Sequence, residues 1–392
     1  MASSYCRCKS LAGNEVHVTF DGLLLLGQEG GLHARGNERH LRPRPDALAD
    51  AAQRLLAVAG PEAIVAGAMP FDPEQDSYLF ATRALARGQA VADLLHPAPA
   101  AIPAALRRLD EGDDYAAMVA QALRLIDRGV LSKVVLARQM AARASGPVDP
   151  LVLARRLHAA DPSVLTFLLD LAPVSGRAHH WLVGATPELL VERRGATVRS
   201  HPLAGSTPRG PDRVSDEAAG RRLLQSEKDR REHALVVEYI ADLLAPLCDG
   251  LNIAGPALRS TATMWHLGTE IGGTLKHGDG PSAAGLAALL HPTPAVGGVP
   301  RSAALQAIRE LEGDRRGFYG GAIGWVDAAG DGEWHVALRC AEISGCDVRL
   351  HAGAGIVAGS DPAAELAETD AKFGAMLRAL ALDMPVQAGA AA

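Results

Sequence analysis

The sequence predicts an α+β fold, with helices packed on antiparallel sheets. Three observations predict it: short β-prone runs, a turn signal joining two of them, and amphipathic helical stretches interleaved with both. Val134-Val135-Leu136 is the first clear β-prone run, followed by Trp181-Leu182-Val183-Gly184. Ala322-Ile323-Gly324-Trp325-Val326 and Trp334-His335-Val336-Ala337-Leu338 read the same way. Asp331-Gly332 lies between this last pair, so Ala322 to Leu338 is expected to form an antiparallel hairpin.

The helices follow from a different period. In 114–128, Tyr115, Met118, Val119, Ala122, Leu123 and Ile126 fall on one apolar face. Residues 216–247 are expected to form one long helix, polar in its first half and apolar in its second. The last helix is expected to start at Asp361-Pro362, a capping residue followed by a proline in the first turn, and to run to about Leu382. Residues 35–46, rich in Arg and Pro, and 97–104, with three prolines, read as surface connections. Neither resembles a long linker, and no repeat is visible, so one interwoven domain is expected over 1–383 with a flexible tail at 384–392.

Composition narrows the function classes. The 392 residues are 48% hydrophobic, enough for a substantial core without disulfide staples. Net charge is −6 and aromatics are only 4%, with no basic stripe, so a nucleic-acid partner is not expected. The five cysteines (Cys6, Cys8, Cys248, Cys340, Cys346) form no CxxC pair and fit a reduced chain; a Cys6/Cys8 metal clip is weighed against an unstructured terminus. The start lacks a signal peptide's apolar core, and Leu23 to Leu26 is too short to span a bilayer. A soluble, cytoplasmic protein is expected.

Several acids and bases stand in distinctive local contexts. Glu365 and Glu368 are three apart on the last helix, and Lys372 follows four after Glu368, so all three share a side. They read either as a solvated charged face or as a functional one. The preceding Ala352-Gly353-Ala354-Gly355 run lets backbone approach a ligand closely. Glu232 sits in the charged stretch Ser-Glu-Lys-Asp-Arg-Arg-Glu-His (226–233); brought beside Glu365 and Glu368, it would complete a hard-oxygen site for Mg²⁺. Lys133 opens an apolar run, as an edge-strand lysine reaching solvent or as a general base whose charge is disfavoured by burial. Glu188 follows Pro187 at a turn, as an ordinary loop acid or as a protonated acid donating to a leaving group. Arg339 could clamp a carboxylate or simply end a strand in solvent. His266 and His291 are isolated, with no zinc-type spacing, and no GxSxG or Walker motif occurs.

Taken together, the motifs resemble the chorismate-utilising enzymes, in particular the isochorismate synthases of catecholate siderophore pathways. The resemblance covers roughly Ala68 to Leu382. It is carried by Ala68-Met-Pro-Phe-Asp72, Ser132-Lys-Val-Val-Leu-Ala-Arg138, Gly184-Ala-Thr-Pro-Glu-Leu-Leu190, Pro202-Leu-Ala-Gly-Ser206 and the Ser-Glu-Lys-Asp-Arg block. Trp265-His-Leu267, Leu290-His-Pro-Thr-Pro-Ala295, Gly320-Gly-Ala-Ile-Gly-Trp325, Leu338-Arg-Cys-Ala341 and Gly353-Ala-Gly-Ile-Val357 continue it.

The resemblance implies a single α/β sandwich domain of large antiparallel sheets flanked by helices, with chorismate and isochorismate as ligands. Lys133 matches the base that activates water for attack at C2, and Glu188 the acid that protonates the departing C4 hydroxyl. Glu232 and Glu368 match Mg²⁺ ligands, and Glu365 a nearby acid binding the ion directly or through water. Gly205, Ser206, His266, Arg339, Gly353, Gly355 and Lys372 match positions around the substrate, Ala295 and Val296 a wall beside the ring, and Leu338 and Tyr319 complete the expected set. Tyr319 and His351 depart from the phenylalanine that siderophore-type relatives often carry. Lys133, with Ala204 in place of a lysine, argues against amination and a glutaminase partner. No organic cofactor is implied, and relatives of this length suggest a monomer. The rival activities are a salicylate synthase, which would go on to eliminate pyruvate, and a non-catalytic chorismate-binding paralogue. The product's destination could be siderophore, menaquinone or salicylate synthesis.

Overall fold

The computed structural model describes residues 20–28, 30–36, 39–96, 106–109, 114–276 and 280–381. Cys6, Cys8, the 97–104 connection and the 384–392 tail lie outside them. Every strand pair among the described residues is antiparallel, within sheets of ten, nine and three strands, so the α+β expectation holds.

The ten-stranded sheet runs Gly298–Val299, Lys133–Ala144, Asp347–Val357, Cys340–Ser344, His180–Thr186, Leu165–Asp170, Leu23–Gly27, Gly30–Arg35 and Ala84–Arg87, with Leu106–Leu109 also paired to Lys133–Ala144. The nine-stranded sheet is built around Leu189–Arg194, Gly332–Val336, Ala322–Asp327 and Ile64–Met69. Leu203–Pro208, Met264–Gly268 and Ala257–Ser260 form the small third sheet. Among the described residues, no helix is long and apolar enough to cross a membrane.

The aliphatic block near the start shows how the layers are packed. Leu23 and Leu25 join Ile64, Ala66, Tyr78, Phe80 and Ile323 in the core between the large sheets. Leu24 and Leu26 point the other way, into a core with Trp181, Val183, Phe373 and Leu377. A strand buried on both faces must be apolar at every position, which is why this run does not alternate. In the remaining core, helices Leu48–Ala59 and Ala283–Leu290 back the nine-stranded sheet, while Arg301–Glu312 packs on Lys133–Ala144 of the ten-stranded one.

The expected hairpin forms in register, with Ala322 opposite Val336 and Val326 opposite Gly332. The helix over 114–128 spans Tyr115–Asp127, and Asp114 caps it by accepting from Ala117 N. The last helix is capped by Asp361 as expected but ends at Ala379, short of Leu382.

Three expectations need correction. Residues 216–247 form two helices, Arg213–Gln225 and Glu227–Leu244, because Ser226 adopts an extended conformation and its hydroxyl caps the second by accepting from Asp229 N. The 35–46 stretch is not wholly irregular: it includes the end of strand Gly30–Arg35, the short strand His40–Leu41 and part of a 3₁₀ turn. Cys248 and Cys340 are buried free thiols, but Cys346 is disulfide-bonded, which departs from a fully reduced chain.

Candidate active site

The chain crosses between the two large sheets at links that carry functional side chains. Pro187-Glu188 joins His180–Thr186 in one sheet to Leu189–Arg194 in the other. Ala337-Leu338-Arg339 returns from Gly332–Val336 to Cys340–Ser344. Arg339 has a φ of +46°, a left-handed conformation uncommon for a non-glycine residue. A cleft opens where these links meet helices Glu227–Leu244 and Pro362–Ala379. Its lining includes Glu188, Gly205, Ser206, Glu232, His266, Ala295, Val296, Tyr319, Leu338, Arg339, Gly353, Gly355, Glu368 and Lys372.

Two expected residues lie just behind this lining. Lys133 has 0% exposure, so it is no edge lysine reaching solvent; neighbouring strands flank it on both sides. Its Nζ lies 3.0 Å from Glu232 Oε1. Glu365, 1% exposed, is not among the lining residues and takes a hydrogen bond from Lys228 Nζ at 2.6 Å through Oε1. Its Oε2 is buried with no hydrogen-bond partner.

Glu188 is the most perturbed acid on the cleft. Burial pushes its carboxyl up to about 8; a backbone hydrogen bond from Leu203 and the charges of Lys133, Arg339 and Lys372 only partly oppose this. The group is therefore protonated at neutral pH and able to donate. Glu368 behaves oppositely. Burial works to raise it, but Lys372, the Ser206 hydroxyl and Lys228 together hold it below its usual value. Lys372 Nζ lies 2.7 Å from Glu368 Oε1 and donates to Gly353 O at 2.9 Å, while Ser206 Oγ donates to Glu368 Oε1 at 2.9 Å. Burial raises Glu365, against the hydrogen bond from Lys228. Burial also disfavours the charge of Lys228, yet its pairing with Glu365 and the charges of Glu368 and Glu232 hold its amine above the usual value.

At the other end of the cleft, Arg339 donates to His266 Nε2. Burial, with the charges of Arg339 and Lys372, drives His266 well below its ordinary value, so its imidazole is neutral and can accept. Burial lowers Arg339 itself to about 10. The cleft thus has Arg339 at one end and the carboxylates of Glu232 and Glu368 at the other, with Lys372 held against Glu368 and the neutral acid Glu188 on the link between the sheets.

Sequence reasoning left Arg316 and the cleft role of His351 unassigned. Arg316 is buried, donates to Glu312, Val296 O and Val135 O, and lies 4.0 Å over the Phe71 ring. Glu312 in turn accepts from Ala137 N at 2.8 Å, tying the cleft wall to the Lys133 strand. An i,i+4 Glu–Arg pair at a helix end carries no sign that it will be buried, so only packing identifies it. The His351 ring stacks on Tyr319 with centroids 5.0 Å apart, and its Nε2 donates to Arg315 O at 3.1 Å. A separate cavity of about 760 Å³ borders the site at Pro187, Leu203 and His266, but none of Lys133, Glu188, Glu232, Glu365, Glu368 or Lys372 lines it.

The carboxylates suit a hard divalent cation by their donor chemistry, and the unpartnered Glu365 Oε2 is a spare ligand atom. Among the described residues, however, no group of three or more His, Cys, Asp or Glu side chains is gathered closely enough to hold an ion. Each of the three glutamates is instead paired with a lysine.

Comparison with known proteins gives a consistent family likeness. A family model described as chorismate binding enzyme matches residues 12–381. The chain is 52% identical to the isochorismate synthase DhbC of Bacillus subtilis over 203 residues, 52% of this chain and 51% of that protein. It therefore spans about half the length of such curated relatives. Over most of its length it is similar to a solved Bacillus anthracis structure described as a 2,3-dihydroxybenzoate-specific isochorismate synthase, DhbC (37% identity, 92% of this chain and 96% of that one, TM-score 0.85). The menaquinone-specific isochorismate synthase MenF of Escherichia coli is also similar (26% identity, 93% and 90% covered, TM-score 0.79).

Proposed function

Because the chain belongs to the chorismate-binding enzyme family, we propose that it is a Mg²⁺-dependent isochorismate synthase acting as one domain, without a glutaminase partner. The observation that carries this reading is Glu188, an acid held protonated at neutral pH on the same cleft as Arg339, Lys372 and Glu368. The reaction exchanges a hydroxyl without net oxidation, so it needs one proton removed, one supplied and tight positioning.

In this mechanism Lys133 takes a proton from the water that attacks C2. The ring double bonds shift, the C4–O bond breaks, and Glu188 delivers its proton so that the hydroxyl leaves as water. Arg339 and the Gly353 backbone hold the pyruvyl carboxylate, and the neutral His266 keeps the guanidinium in place. Ala295 and Val296 confine the ring. Glu232 and Glu368, with Glu365 behind them, would hold Mg²⁺, which when bound neutralises the ring carboxylate.

Incubation of purified protein with chorismate and Mg²⁺, followed by product analysis, tests the reading. Isochorismate alone is the expected product. Stoichiometric salicylate and pyruvate would replace the reading with a salicylate synthase, and absence of turnover would leave only a chorismate-binding protein.

A further inference from the structure

Each glutamate assigned to the metal already has a lysine amine beside it: Lys133 at Glu232 (3.0 Å), Lys372 at Glu368 (2.7 Å) and Lys228 at Glu365 (2.6 Å). Lys133 has a step in the proposed reaction, and Lys372 lines the substrate cleft. Lys228 does neither, and its position requires an explanation. It lies in the first turn of helix Glu227–Leu244, where the helix dipole favours acids such as its neighbours Glu227 and Asp229. A lysine there is disfavoured unless another group holds it, and that group is Glu365, reaching in from the last helix.

The three pairs also differ in freedom. The Lys133 side chain is fully buried and cannot leave Glu232 for water. Lys372 is tied to the cleft by a second bond, to Gly353 O. The Lys228 side chain is 36% exposed against 1% for Glu365, so its ammonium can swing to solvent while the carboxylate stays. A buried carboxylate without a counter-charge is costly, and the ammonium offsets that cost. The same ammonium repels a second cation brought to the same carboxylate.

We propose that Lys228 is a positioning residue, a built-in counter-ion that holds Glu365 in the metal-free protein and competes with the divalent ion for it. The proposal rests on the Mg²⁺ reading above. It predicts a site that stays assembled between turnovers at the expense of weaker ion binding, with no effect on the chemical step itself.

The test uses the full chain without substrate and Mn²⁺ as the probe, with free Mn²⁺ followed by electron paramagnetic resonance. Lys228→Gln should bind Mn²⁺ about tenfold more tightly than the wild type, as expected for removal of one nearby positive charge. In chelator the variant should melt below the wild type, and saturating Mn²⁺ should close that gap. Lys228→Arg, which keeps the charge, should resemble the wild type in both measurements. Should the glutamine variant not survive chelator, Lys228→Met purified with Mn²⁺ and titrated back with chelator gives the same affinity comparison. Unchanged or weaker Mn²⁺ binding in the neutral variants, with Glu368→Gln abolishing it, would overturn the counter-ion role and leave the metal reading standing. A wild type that binds no Mn²⁺ would overturn both.

Discussion

Glu232 lies so close over Gly355 that a β-carbon at that glycine would fall 2.1 Å from Glu232 Oε1. The glycine-rich run therefore leaves room for the side chain that meets Lys133, as well as for backbone approach to a ligand. Gly355→Ala should displace the Glu232 carboxylate while the strand and its ladder persist. Activity should fall by about 10²-fold, the scale expected for misplacement by about an ångström. Circular dichroism would check that the fold is kept, and turnover measured beside it would reveal whether the displacement matters.

Glu188 carries a pH signature. Its carboxyl rises from the usual 4.5 to about 8 in the folded protein. The folded state therefore binds the proton more tightly, so this group's contribution to stability is fully present below about pH 4.5 and is lost as pH rises through about 8. Turnover should decline over the same upper limb as the acid deprotonates. Glu188→Gln should lower kcat by at least about 10²-fold and flatten the alkaline fall in stability. Thermal melts across pH 5–9 (roughly the window of linkage) read the second effect independently of activity.

Lys133→Ala should cost turnover at least about 10²-fold as a lost base. It should also lower stability in chelator, by on the order of 3 kcal/mol, because Glu232 would remain buried without its partner. The double variant with Glu232→Ala should recover much of that stability and none of the activity. Chemical denaturation of the two variants side by side decides this.

Glu368→Gln addresses the proposed ion directly. Its carboxylate is held below its usual value by Lys372, Ser206 and Lys228 against the effect of burial. Removing the charge should shift the Mg²⁺ dependence of turnover to higher concentration by about tenfold or more. A superimposable metal titration would remove Glu368 from the ligand set.

Arg316→Met tests the clamp beneath the cleft. Glu312 would be left buried without its partner, and Val135 O and Val296 O would lose their donor. A loss of on the order of 3 kcal/mol is expected, with melting as the readout. An unchanged melting temperature would show that the cleft wall does not depend on this arginine.

Local patterning alone determined much of this protein. The hairpin at Ala322–Val336, the capped helices after Asp114 and Asp361 and the α+β class all follow from periodicity and capping, which act within a few residues. Motif wording also singled out most residues that line the cleft, though not Arg316, and included Lys133 and Glu365, which lie outside the lining. Packing decided the rest. Whether Lys133 reached solvent, whether Glu188 was an ordinary acid and whether Glu365 faced the cleft depended on neighbours far along the chain. Charge state follows from burial and from partners such as Glu232 and Lys228, and neither is encoded within reach of the residue itself. Ser226 shows the same boundary at smaller scale: its capping chemistry was legible, but the end of the preceding helix there was not recognised against a continuous charged pattern.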